Sequence, residues 1–353
     1  MYYTQKLTWL SLGLAGLVIT GAAIWIYAAF GTSPRSQPLV GFNASVPVNL
    51  EIPEQKIIPL KYHAFQTFNN CGPASLAMAL SYYGINVTQQ ELGQALRPYQ
   101  IANGDNDDKS TTLEEMGKKA EEYGFTVYFR PAGTIEILKG FIAYDLPVIT
   151  RTWTKPNEDI GHFRLVRGYD AKRREIIQDD SLLNKNLRFS YDEFNALWDK
   201  FGFEYLVLVP NDKLAIAQAI LGEDLNETVA WQKAADSAPG GLNKSVAYYH
   251  LGDYESSVRE FEAVENSLPT RALWYQLEPI QAYYQLKNYD RVFAITDQIL
   301  NNGNRANSEL YLIRGQIYED QGNRDAARSE YEKAVFYNVN LEEAKAALTR
   351  VSG

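Results

Sequence analysis

Residues 65–84, FQTFNNCGPASLAMALSYYG, hold Cys71, the single cysteine of a 353-residue chain, just before what reads as the start of a helix. Apolar side chains at Leu76, Ala79, Leu80 and Tyr83 fall on one face of a 3.6-residue period that stops at Gly84. One thiol cannot close an internal disulfide. It is an apolar filler, a metal ligand short of partners, or a reactive group.

Composition narrows the field. With 46% hydrophobic, 13% aromatic and 22% charged residues the chain is globular in type, and its length suits two or three domains. A net charge of -9 with no dense basic cluster speaks against nucleic-acid partners, which need a surplus of Lys and Arg. One cysteine and three scattered histidines, His63, His162 and His250, offer no zinc spacing. The acidic run 103–109, NGDNDDK, lacks the glycine and terminal glutamate of a calcium loop and reads as solvated. No cofactor or metal is expected.

Upstream, Thr8 to Phe30 forms an uncharged, mostly apolar run. As a helix it would be roughly 34 Å long, enough for a hydrocarbon layer of about 30 Å. A transmembrane anchor over 8–30 is the expectation, after a short tail at 1–7. The run exceeds the h-region of a cleaved signal peptide, although Ala29-Phe30-Gly31 has a small-x-small pattern that keeps secretion after cleavage as the alternative. Lys6 and the terminal amine on one side against Arg35 on the other place the bulk of the chain outside the cytoplasm. An anchored extracytoplasmic domain with an unpaired cysteine is not disulfide-stapled.

Pro34, Pro38, Pro47, Pro53 and Pro59 mark 31–59 as an extended spacer. From 60 to 212, helix patterns at 111–124 and 135–145 precede strand patterns at 146–153, 162–170, 174–180 and 203–210. Helices first and an antiparallel sheet later is the order of an α+β domain. Pairing strands 162–170 and 174–180 about residue 171 sets His162 opposite Asp179 or Asp180. A carboxylate there would orient an imidazole and stabilise its cation. Cys71, at a helix N-terminus, stands where free N–H groups and the macrodipole favour a thiolate. Gln66, five residues earlier, could bring its amide to the thiol and, with the Cys71 N–H, form an oxyanion hole.

QTFNNCGPASLAMALSYYG, with GHFRLVRGYD and QDDS downstream, resembles the papain-like cysteine peptidases of family 39, the bacteriocin-processing, double-glycine type and its broader relatives. The resemblance spans about 60–210 and implies Cys71 as nucleophile, His162 as general base and acid, Asp180 as orienting carboxylate and Gln66 as oxyanion donor, with a peptide or protein as substrate. Asp179 is the second candidate for the third member, because Asp180 precedes Ser181 where the family has Asp-Pro. Two further departures are a Gln66-to-Cys71 gap one residue shorter than usual and Asn70 in place of an acid, so a double-glycine leader does not follow. His63, with no hairpin partner, reads as structural. An inactive peptide-binding scaffold and acyl transfer to an amine stay open beside hydrolysis.

The last third repeats itself. AYYHLGDYESSV at 247, AYYQLKNYDRVF at 282 and QIYEDQGNRDAA near 316 recur with a period of 35, aligning Tyr248, Tyr283 and Tyr318, then Gly252, Lys287 and Gly322. This resembles tetratricopeptide repeats, which imply an all-α solenoid over 238–353 and a protein partner. The third copy, with Gly315, Tyr318, Ala327, Tyr331 and Ala334, fits best; Lys287 and Thr296 make the middle copy irregular. Residues 213–237 read as connecting helices.

Overall fold

In the region 60–212 the expected strands form, and three unexpected ones join them. The computed structural model describes residues 50–99, 101 and 111–353, all within one compact unit. Segment 8–30, read as an anchor, and the acidic run 103–109 lie outside the described residues. Among the described residues no helix is long and apolar enough to cross a membrane.

Seven antiparallel strands make one sheet: β1 (Gln55–Ile57), β2 (Thr126–Arg130), β3 (Val148–Trp153), β4 (Gly161–Asp170), β5 (Glu175–Asp180), β6 (Leu187–Ser190) and β7 (Tyr205–Val209). Their order is β2-β7-β3-β4-β5-β6. β1 pairs with the far end of β4, Gln55 against Asp170, so the spacer read as reaching residue 59 already belongs to the sheet at Gln55.

Alternation along the strands gives two apolar faces. Ile149, Phe163, Leu165, Leu206 and Leu208 join the core of α1 (Cys71–Tyr82), α2 (Gln89–Leu96) and α3 (Leu113–Glu121). Val148, Val166, Ile176, Val207 and Val209 join that of α4 (Ile135–Ala143), α5 (Tyr191–Trp198) and α6 (Leu214–Leu221). Helix α6, expected as a connector, therefore packs in the sheet domain through Ala217 and Leu221. Helix α1 departs from the amphipathic expectation: every residue from Cys71 to Leu80 is buried. A helix apolar all round is one that runs through a core.

The β4–β5 register also differs from the expected one. Arg164, not His162, lies opposite Asp180, and His162 pairs with Thr152 on β3. The last β4–β5 pair is Asp170 with Glu175, which moves the turn to residues 171–174, and a bulge between Val166 and Gly168 shifts the ladder once more.

Beyond the sheet domain, α7 (Glu227–Ser237) packs through Trp231 and Ala235 on α8 (Leu242–His250). Helices follow as α9 (Tyr254–Glu262), α10 (Ala272–Tyr275), α11 (Glu278–Gln285), α12 (Tyr289–Asn301), α13 (Ser308–Asp320), α14 (Arg324–Tyr337) and α15 (Glu342–Ser352). The three aligned positions Gly252, Lys287 and Gly322 all take left-handed backbone, at φ 77°, 57° and 76°. Each turn is closed alike, by Asp253, Asn288 and Asn323 N–H donating to Tyr248, Tyr283 and Tyr318 carbonyls. That six-to-one bond is the Schellman form of helix ending. In the third pair Gly315 makes room for the Tyr331 ring. The middle pair exchanges the sizes, with Ile280 and Thr296 at the corresponding, fully buried positions.

Candidate active site

Cys71 is the first residue of α1, preceded by Asn70 at the N-cap, whose side chain makes no capping bond to the helix. The first N–H groups of a helix have no intrahelical acceptor. Asn70 Nδ2 instead donates to Thr67 Oγ1 at 2.7 Å, in a turn that carries Asn69 at φ 54°. Gln89 of α2 clamps this turn from behind: its Oε1 accepts from Thr67 N–H at 2.9 Å and its Nε2 donates to Phe65 O at 2.7 Å.

His162 lies diagonally across the β4–β5 ladder from Asp180, and its Nε2 stands 2.9 Å from Asp180 Oδ1. The Cys71 thiol is also within hydrogen-bonding reach of the ring. Burial pulls the imidazole toward its neutral form, but the bonds to Asp180 and Cys71 and their charges outweigh it, so His162 titrates above the ordinary histidine value. Burial likewise opposes the Asp180 charge. The His162 bond and charge, the Arg164 guanidinium and the Leu182 N–H reverse that and hold Asp180 far below the usual carboxylate range.

Asp180 is fixed from three further directions. Arg164 Nε sits 2.9 Å from its Oδ2, and Leu182 and Leu183 N–H donate to Oδ1 at 2.8 and 3.0 Å. Gln66 stands at the same cleft: its backbone N–H donates to Ser181 O at 2.8 Å, and its Oε1 accepts from the Ser181 hydroxyl at 2.8 Å. With the amide oxygen held, the NH₂ is the end left to donate. The cleft, about 320 Å³, is lined by Gln66, Phe68, Cys71, Ile160, His162 and Leu182 among others.

Residues 54–206 match the model of the Peptidase_C39 like family, and residues 308–335 match that of a tetratricopeptide repeat. Residues 54–206 are a C39-like cysteine peptidase domain. Similar solved structures include a C39-like peptidase from Bacillus anthracis at 18% identity, covering 45% of this chain and 99% of that one with a TM-score of 0.37. The peptidase domain of Streptococcus ComA, a bifunctional ABC transporter of a quorum sensing pathway, is 23% identical over 44% of this chain and 98% of that one, TM-score 0.31. Xylellain, a cysteine protease of Xylella fastidiosa, is 13% identical over 45% and 87%, TM-score 0.35. No curated protein matches the chain.

Within the C39-like domain the structure brings together Gln66, Cys71, His162 and Asp180, the four residues read from the sequence. Asp179 goes elsewhere: its Oδ1 holds Arg167 Nε at 2.9 Å and accepts from Asn186 N–H at 2.7 Å. His63 packs edge-on against Phe65, 4.8 Å between centroids, outside the His162–Asp180 pair, and burial lowers its pKa. His250 lies in the helical region, stacked on Trp231 at 3.7 Å. Sequence reading missed Arg164, Ser181 and Gln89. Arg164 had a signal, a charged residue two places after the candidate histidine and so on its face of the strand. Gln89 had none, because its role depends on where α2 packs.

Proposed function

We propose that the chain is a membrane-anchored, extracytoplasmic thiol peptidase with a repeat region that engages protein partners. The observation that carries the chemistry is His162 held between the Cys71 thiol and Asp180 at the mouth of one cleft. A raised imidazole and a thiol at a helix N-terminus favour transfer of the thiol proton to the ring, giving a thiolate beside an imidazolium. The thiolate attacks the peptide carbonyl, and the oxyanion faces the Gln66 amide and the Cys71 N–H. As the C–N bond breaks, His162 gives its proton to the leaving amine and a thioester remains on Cys71. Water, deprotonated by His162, then adds to the thioester; the C–S bond breaks, releasing the acid and the thiolate. Asp180 keeps the ring oriented through both steps.

The test is the rate of Cys71 alkylation by iodoacetamide against pH, in the wild type and in His162→Ala. An ion pair predicts reaction persisting at pH 6 and lost in His162→Ala. A rate that rises only above pH ~8, as for a free thiol, and ignores His162→Ala sinks the reading. The membrane part rests on the apolar run 8–30 alone. It predicts that the whole chain stays with membranes after alkaline extraction; a soluble protein whose mass places its N-terminus near residue 30 would replace the anchor by a cleaved signal.

A further inference from the structure

One wall of the cleft is the β3–β4 loop. Thr154, Ile160 and Gly161 line it, and His162 follows directly. The loop closes on itself where Thr154 N–H donates to Ile160 O at 2.9 Å, and within the sheet domain Arg164 holds one stem through the Trp153 and Thr154 carbonyls. The other stem is held from the helical region. Asp159 accepts from the Arg271 backbone N–H at 3.1 Å and from its guanidinium at 2.8 Å. The Tyr275 ring lies so close to Gly161 that a Cβ there would stand 3.1 Å from its nearest carbon. Tyr275 O in turn accepts from Arg151, a buried residue of β3, at 3.0 Å. Beside these contacts remains a void of about 300 Å³ bordered by Trp153, Asp159 and Tyr275, so discrete contacts set where the loop sits.

We infer that residues 271–275 brace the cleft wall that leads into His162, making Arg271 and Tyr275 positioning residues for the thiol chemistry of a site in another domain. This rests on the peptidase reading and adds to it a dependence on the helical region. A wall that shifts by a fraction of an ångström displaces both His162 and the bound carbonyl from attack geometry, which is steeply penalised.

The experiment uses the full chain with Arg271→Gln, Asp159→Asn, the double variant and Arg271→Lys. Arg350→Gln, which breaks a distant ion pair with Glu319, is the control. Thermal melts confirm that each is folded; kcat, KM and the Cys71 alkylation rate at pH 6 are then measured. Each single change lowers kcat/KM about tenfold and slows alkylation. The double variant is no worse than Asp159→Asn alone, because Arg271→Gln removes only one of the two bonds that Asp159 accepts. Arg271→Lys recovers most of the loss. Folded variants that keep wild-type kcat/KM and alkylation overturn the brace, as does a double variant whose losses multiply. A wild type that cleaves no peptide counts against the peptidase reading alone, because the alkylation rates still compare the variants.

Discussion

Arg164 has no solvent exposure, and its guanidinium is shared between Asp180 Oδ2 at 2.9 Å and the carbonyls of Trp153 and Thr154 at 2.7 and 2.6 Å. Removing one partner of a buried ion pair strands the other charge, which costs more than the pair gains. Arg164→Met is therefore expected to lower unfolding free energy by about 3–5 kcal/mol, read from denaturant midpoints, whereas a loss under ~1 kcal/mol would mean that Asp180 is held by its backbone donors alone. The four candidate site residues were legible from pattern: a sole cysteine, a glutamine five residues before it, a histidine at the start of a strand and an acid at the end of the next strand. Their support was not. Ser181 orients Gln66 from 115 residues away, and no local pattern announces such a partner.

At the scale of elements, turn chemistry carried further than strand register. The 35-residue alignment placed Gly252, Lys287 and Gly322 together, and all three prove to be left-handed turn residues. A lysine pays a steric cost there that glycine does not, partly offset by the greater freedom of glycine in the unfolded chain. Lys287→Gly should stabilise the helical region by roughly 0.5–1 kcal/mol; an unchanged or lower melting temperature would show that the lysine stem compensates by packing. Register failed because it hangs on the turn and on the bulge between Val166 and Gly168, and a bulge leaves no mark that alternation can reveal. The missed helices α2 and α5 did have a mark: Thr88 with Glu91 and Ser190 with Glu193 are complete capping boxes.

Across the whole molecule, ionisable groups collect where the sheet domain meets the helices. Glu204 is pushed up to about 7 from 4.5 by burial, opposed by Arg151 and His250 and reinforced by Glu278 and Glu114. His250 is also raised: burial lowers it, and the bond to Glu278 and the nearby glutamates win. For both groups the folded value exceeds the unfolded one, so the stability each contributes is complete below its ordinary value and lost as pH climbs through the raised one. Unfolding free energy should therefore decline between pH 5 and pH 8. Glu204→Gln should remove on the order of 2–3 kcal/mol of that decline, measured as paired denaturation curves; parallel slopes in variant and wild type would show that Glu204 does not titrate in this window.

The place of β7 in the sheet has a consequence in time. It is the last strand to be synthesised, yet it lies between β2 and β3 and supplies the sheet contact of β2. No amount of local folding can complete the sheet until Val209 has left the ribosome, since the pairing partners of β7 wait some 60 to 80 residues upstream. From Cys71 to Val209 the nascent chain thus grows with its thiol already made and the frame around it still open.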